Sequence, residues 1–171
     1  MTVPIWALSL AYWLHMLATV VWIGALASLS LLVLPAARKT LNPQAYGDFI
    51  GQIQRRLDPL GWFSLILLAG TGLVQMSANP NYHGFLAIEN RWAVAILAKH
   101  LLFLVMVVIS AYMTWIMLPQ LHRLALRRAR GIEAENDPAS QELMRRETWL
   151  LRLNLILGVF VLAMTAIARS A

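Results

Sequence analysis

The sequence contains no cysteine. A disulfide framework, a thiolate metal site and a cysteine-ligated iron–sulfur cluster are therefore excluded, and any metal must be held by histidine, methionine or carboxylate side chains. Charge is also scarce, since only 13% of the 171 residues are charged. No hydrolytic triad, phosphate-binding loop or carboxylate dyad can be recognised, so the sequence predicts an electron-transfer or accessory role rather than a stand-alone enzyme.

Apolar residues are abundant, at 60% of the chain, and the mean hydropathy is +0.64. This composition is typical of an integral membrane protein, and we expect a single membrane domain over residues 1–171. A helix of about 20 apolar residues crosses the hydrocarbon core of a bilayer. The sequence therefore predicts an all-α, four-helix membrane bundle, with spans at about residues 5–34, 59–78, 92–118 and 149–167.

The formal net charge is +6, and the basic residues cluster in the first and third connections between the apolar runs. Such clusters are topology signals, so no nucleic-acid partner is predicted. The positive-inside rule predicts that these two connections lie in the cytoplasm and both termini outside. The predicted location is a bacterial inner membrane. The predicted partners are the lipid bilayer and either other membrane subunits or further copies of the chain.

The first connection carries a helix-start signal at Asn42-Pro43, followed by apolar residues at helical spacing, namely Tyr46, Phe49, Ile50, Ile53 and Leu57. The pattern predicts an amphipathic helix on the inner membrane surface, although a loop helix packed on its own bundle fits equally well. Pro35 is expected to end the first helix. In the third connection, Gly131 is a predicted helix end and residues 132–136 are a predicted linker.

Two apolar runs each carry one histidine. His15 lies 20 residues before Pro35, and His100 lies 19 residues before Pro119. Each proline follows a leucine, and each run is followed by a basic connection and a second apolar helix that contains glycine. This correspondence predicts two tandem helix-pair repeats related by an axis along the membrane normal.

An ionisable side chain within a membrane span tends to mark a functional site. If the first and third helices run in the same direction, His15 and His100 reach similar depths, and the repeat turns them toward one another. Two facing imidazoles in a four-helix bundle suit a b-type haem, so haem b is the predicted cofactor and both histidines are its predicted iron ligands. The alternative for each histidine is a packed side chain that is hydrogen-bonded to a carbonyl or hydroxyl group.

Four further residues complete the predicted cofactor site. Lys99 either extends to lipid phosphate or pairs with a haem propionate. Gly70 and Gly72 of the second span leave room for a flat macrocycle, and Trp22 is a further predicted cofactor contact. Copper, bound by imidazole and methionine thioether, is the alternative metal, and chlorophyll bound to a single histidine is the less favoured one.

The order of several short motifs resembles the membrane domain of the copper-resistance protein D family. These motifs are Leu14-His15, Trp22-Ile23-Gly24-Ala25-Leu26, Leu34-Pro35, Arg55-Arg56-Leu57-Asp58-Pro59-Leu60 and Gly70-Thr71-Gly72-Leu73. The resemblance covers most of the chain and implies copper handling. More distantly, the chain is similar to the HemJ-type protoporphyrinogen oxidases, which implies that His15 is a haem histidine and Lys99 a functional lysine.

Three functions follow as hypotheses. The leading one is a haem b electron-transfer protein or an accessory subunit of a larger redox or photosynthetic complex. The first alternative is a membrane protein of copper transport or resistance. The second alternative is a structural subunit without a cofactor.

Overall fold

A computed structural model describes residues 3–82, 84, 90–129 and 138–170. These residues form six α-helices and two π-helical segments, with no strand among them. The predicted helix end at Gly131 and the predicted linker at residues 132–136 lie outside the described residues. The α-helices are α1 Ile5–Ala27, α2 Leu34–Thr40, α3 Pro43–Ser77, α4 Arg91–Tyr112, α5 Leu118–Ala129 and α6 Pro138–Ser170.

Four continuous helical stretches are long and apolar enough to cross a membrane. They are Ile5–Thr40, Ala45–Ser77, Arg91–Leu121 and Gln141–Ser170. The predicted all-α membrane fold with four spans is therefore confirmed. Each stretch is longer than the predicted span because polar turns of helix extend the apolar part at one or both ends.

The expected helix end at Pro35 is wrong. A π-helical segment, Ser28–Val33, precedes this proline, and the helix continues to Thr40. Directly after the segment, the N–H of Leu34 donates to the carbonyl of Leu29, five residues back. A proline ring normally clashes with a carbonyl of the preceding turn. The wider π-helical turn moves these carbonyls and relieves the clash, so the helix passes through the proline.

The same arrangement recurs before Pro119. The π-helical segment Met113–Met117 connects α4 to α5, and the N–H of Leu118 donates to the carbonyl of Met113, again five residues back. Both Leu-Pro pairs therefore follow a π-helical segment directly. This shared backbone feature supports the predicted repeat between the two halves of the chain.

The first connection is helical, as predicted, and it begins where predicted. Asn42 caps α3 because its side chain accepts a hydrogen bond of 2.8 Å from the N–H of Ala45. The amphipathic segment is not a separate surface helix, however, because α3 continues through Pro59 to Ser77. Tyr46 and Ile50 are buried in the core, so this segment packs on its own bundle. One missing N–H at Pro59 does not end a helix of 35 residues.

The helices form a ring. The main contacts join α1 to α3 and α4 to α6, and further contacts join α1 to α6 and α3 to α5. The first and third spans, which carry the two histidines, therefore occupy opposite corners of the bundle. The core between the helices is apolar and includes Ala18, Trp22, Leu26, Leu65, Leu68, Met106 and Leu151.

Candidate functional site

The depth of His15 can be determined from the contacts of α1 with α6, which run in opposite directions. The guanidinium of Arg169 lies 5.7 Å from the ring centroid of Tyr12, and a Cβ atom on Gly158 would lie 3.6 Å from Ile23. These two contacts agree on one register, because Tyr12 and Ile23 are eleven residues apart on α1, and Gly158 and Arg169 are eleven residues apart on α6. His15 is therefore level with residue 166 of α6.

The depth of His100 follows from the contacts of α4 with α6. The Asn154 amide donates to the Ser110 hydroxyl at 3.0 Å, and a Cβ atom on Gly158 would lie 3.3 Å from Cε of Met106. This register makes His100 level with residue 164, two residues from the level of the first histidine, or about 3 Å along the helix axis. The two imidazoles are thus at matched depths, at what we call the histidine end of the bundle.

The ring of His15 is fixed by a hydrogen bond to α3. Its Nδ1 atom lies 2.8 Å from the hydroxyl oxygen of Thr71, and that hydroxyl donates to the carbonyl of Leu67 at 2.6 Å. A hydroxyl group has one hydrogen, so Thr71 accepts a hydrogen bond from Nδ1 of His15. In the neutral ring the lone pair then lies on Nε2. A histidine whose second ring nitrogen donates to an oxygen has the arrangement typical of metal ligands.

His100 has the same tautomer for a different reason. Its Nδ1 atom lies 2.7 Å from the carbonyl oxygen of Ile96, one turn earlier on α4. A carbonyl can only accept, so Nδ1 donates and the lone pair of the neutral ring lies on Nε2. Bonds of this kind also hold packed histidines, so the role of both residues as metal or haem ligands stays a prediction.

Lys99 belongs to the same end of the bundle. Its ammonium group interacts electrostatically with the ring of His15 and with Arg169, and its side chain is partly buried. One of the predicted imidazoles and the predicted lysine thus act on each other electrostatically at this end of the bundle.

The three remaining predicted residues have different surroundings. A Cβ atom on Gly72 would lie 3.5 Å from Cε1 of His15, so this glycine borders the imidazole. Gly70 is exposed, and a Cβ atom there would meet no neighbour within 4 Å. Trp22 packs against Gly61, where a Cβ atom would lie 3.9 Å from the indole. Trp22 lies two helical turns, or about 10 Å, from the level of His15.

The opposite end of the bundle contains a polar group that the sequence analysis missed. We call it the arginine-end cluster, and its members are Arg38, Tyr46, Gln54, Glu147 and Thr148. The guanidinium of Arg38 donates to the carbonyl of Met144 and to the hydroxyl of Thr148, each at 2.6 Å, and to the hydroxyl of Tyr46 at 3.3 Å. Three helices, α2, α3 and α6, therefore meet at this one side chain.

Glu147 is the most deeply buried ionisable residue of this cluster, with 1% of its surface exposed. The amide of Gln54 donates to its Oε1 atom at 2.8 Å. A signal for this burial exists in the sequence, because Glu147, Leu151, Asn154 and Gly158 follow at intervals of four, three and four residues. Such spacing keeps all four on one face of a helix, and that face is buried.

No group of three or more His, Cys, Asp or Glu side chains within the described ranges is placed to hold a metal ion. A metal at the histidine end would consequently need imidazole as its main ligand, with any further donor coming from another side-chain type or the backbone. Neutral imidazole is a good ligand for copper, zinc and iron.

Comparison with protein families identifies the relationship. The sequence pattern described as copper resistance protein D matches residues 51–168. The chain belongs to the copper resistance protein D family. The resemblance inferred from the short motifs is thus confirmed. The match includes Lys99, His100 and Glu147, whereas His15 lies before it. No curated protein and no solved structure matches the chain.

Proposed function

We propose that this member of the copper resistance protein D family binds copper in the membrane and passes it between the helices, with His15 and His100 as the ligands. The observation that carries the proposal is the shared tautomer of the two histidines. Each donates from Nδ1 to an oxygen atom, and this leaves the lone pair of the neutral ring on Nε2.

The location of the histidines supports the same function. They sit at matched depths on opposite corners of a four-helix bundle, and the core of such a bundle is a common place for metal and cofactor sites. Cu(I) accepts imidazole and thioether ligands and tolerates low coordination numbers better than the hard cations do. Copper is the cargo in this proposal, so the site needs to bind it and also release it.

Haem b electron transfer is the second candidate. The observation that favours it is Lys99, whose cationic group interacts electrostatically with the His15 ring. An ammonium group that acts on the ligand electrostatically opposes the binding of a bare metal cation but would pair with a haem propionate. Two imidazoles on different helices of a bundle are also a suitable pair of axial ligands.

A single preparation distinguishes the candidates. The purified protein is loaded with Cu(I) under reducing conditions, and bound copper and the visible spectrum are measured for the wild type, His15→Ala and His100→Ala. We expect retained copper in the wild type and its loss in both variants. Met16→Leu is the matched control, because this neighbouring side chain is exposed on the outside of the bundle and should bind as the wild type does.

The outcomes are distinct. A b-type spectrum in the wild type that disappears in both histidine variants would establish the haem candidate and reject copper. Absence of both copper binding and a chromophore would reject both candidates and leave the structural subunit.

A further inference from the structure

Two buried oxygen atoms of the arginine-end cluster have no hydrogen-bond partner. They are Oε2 of Glu147 and Oε1 of Gln54. The two side chains are already joined, because the amide nitrogen of Gln54 donates to the other carboxyl oxygen of Glu147 at 2.8 Å. Both unsatisfied atoms are acceptors, so this joined pair lacks a donor.

The neighbouring cation does not supply that donor. Arg38 uses one guanidinium nitrogen for both Met144 and Thr148 and another for Tyr46. In the part of the chain that the structure describes, Glu147 forms no ion pair, whereas the exposed Glu142 on the same helix pairs with Arg146 at 3.0 Å. The guanidinium of Arg38 thus bonds neutral acceptors and leaves the buried carboxyl group of Glu147 without a direct ion pair.

A buried carboxylate with an unsatisfied oxygen is costly, and the neutral acid is the less costly form. One proton on Oε2 of Glu147 would supply the missing donor. Its O–H group can donate to Oε1 of Gln54 while the amide N–H continues to donate to Oε1 of Glu147. A single hydrogen then satisfies both of the unsatisfied atoms, and the acid and the amide become joined by two hydrogen bonds.

We propose that Glu147 and Gln54 form a buried proton-binding site at the arginine end of the bundle, in which Oε2 of Glu147 carries the proton and Oε1 of Gln54 accepts its hydrogen bond. The ligand is a proton taken from water and returned to water. This site is separate from the histidine end and does not depend on the proposed copper function.

Water can approach the site from a cleft. The cleft has a volume of about 270 Å³ and opens to the surface beside the cluster. Its lining residues are Arg38, Leu41, Tyr46, Gln141, Met144 and Arg145. Two of these, Arg38 and Tyr46, belong to the cluster itself, so the cleft brings water to the residues next to Glu147.

The groups that act on Glu147 come from several helices. Arg38 of α2 and Tyr46 of α3 interact with it electrostatically, and Gln54 of α3 bonds to it. On α6 itself, Glu142 and Arg146 pair with each other at the surface. When the proton leaves, Arg38 is the cation that can turn toward the new carboxylate, at the cost of its bonds to the other cluster members.

Infrared spectroscopy of the purified wild-type protein at neutral pH tests the proposal. We expect the C=O stretching band of a protonated, buried carboxylic acid. Glu147→Gln should remove this band, and the matched control Glu142→Gln, on the same helix but at the surface, should retain it. Gln54→Leu should shift the band to higher frequency, because the carbonyl oxygen loses the N–H donor.

Two results would overturn the proposal. One is a wild-type spectrum at neutral pH without a band that depends on Glu147, since the carboxyl group would then be ionised. The other is an increase in the melting temperature of the wild type with Na⁺ or K⁺ that is lost in Glu147→Gln. That result would assign the unsatisfied oxygens to a metal cation.

Discussion

The two ends of the bundle differ in how their polar side chains are hydrogen-bonded. At the histidine end, the imidazole of His15 is hydrogen-bonded to the hydroxyl of Thr71, and the other nitrogen of the neutral ring has a lone pair. At the arginine end, one guanidinium makes three hydrogen bonds, yet two buried oxygens of Glu147 and Gln54 lack a partner. A lone pair held in a fixed direction suits a metal, whereas two adjacent acceptors without a donor suit a hydrogen. The difference predicts that the ends bind different ligands and respond differently to substitution.

The largest expected effect on stability is at the arginine end. Arg38→Leu removes three hydrogen bonds and leaves the hydroxyl oxygens of Tyr46 and Thr148 without their guanidinium donor. Loss of such charge-assisted bonds, moderated by the exposure of Arg38, should cost about 2 kcal/mol. We expect a clear fall in the melting temperature of the protein in detergent.

Lys39→Leu is the matched control, because Lys39 is the next residue, is exposed and has the same charge. Its melting temperature should stay close to that of the wild type. Equal effects of the two substitutions would contradict the view that the arginine end is held by the specific bonds of Arg38.

The next effect concerns ligand binding at the histidine end. Thr71→Val keeps the shape of the side chain but removes the acceptor for Nδ1 of His15. Loss of such a supporting bond to a metal-binding histidine typically lowers metal affinity by about 10- to 100-fold. A copper titration of the purified protein measures this change.

Thr71→Ser restores the hydroxyl group and should restore most of the affinity. If Thr71→Val binds copper as tightly as the wild type, the hydrogen bond has no part in metal binding. The proposal that the histidine end binds copper then loses its main argument.

The smallest effect is expected at Gly72. A methyl group there would contact Cε1 of His15 at 3.5 Å, which is an ordinary van der Waals distance. Gly72→Ala should therefore fold normally, and better helix propensity should offset part of the contact, leaving a change below about 1 kcal/mol. Gly70→Ala, with no neighbour within 4 Å, should be neutral or stabilising in the same melting experiment. A severe loss of stability in Gly72→Ala would show that the imidazole fits more tightly than this distance indicates.

The number and type of helices could be predicted from the sequence because membrane spans depend on local hydropathy. The matched depths of His15 and His100 were likewise accessible, because distance along a helix is fixed by counting residues. The continuation of the first helix beyond Pro35 could not be predicted, because it depends on a rearranged backbone turn that apolar composition does not reveal.

The arginine-end cluster was missed for another physical reason. A glutamate near a membrane boundary usually faces water, and only the packing of α6 against its neighbours determines that Glu147 is buried. Its spacing with Leu151, Asn154 and Gly158 was the available signal. The partners Arg38 and Gln54 lie 109 and 93 residues away in the chain, so no local pattern connects them with Glu147.

The π-helical segments before Pro35 and Pro119 affect the directions in which side chains point at the two ends of the bundle. An α-helix turns by about 100° for each residue, and a widened turn shifts the phase of every side chain that follows it. The residues beyond Pro35 therefore do not keep the angular position relative to His15 that a regular α-helix would give them. Each of these two long helices therefore consists of two α-helical parts that are rotated relative to each other about the helix axis. A substitution that restored a regular turn would rotate Arg38 about the helix axis without moving His15. The directions of the side chains at the two ends can therefore change independently during evolution.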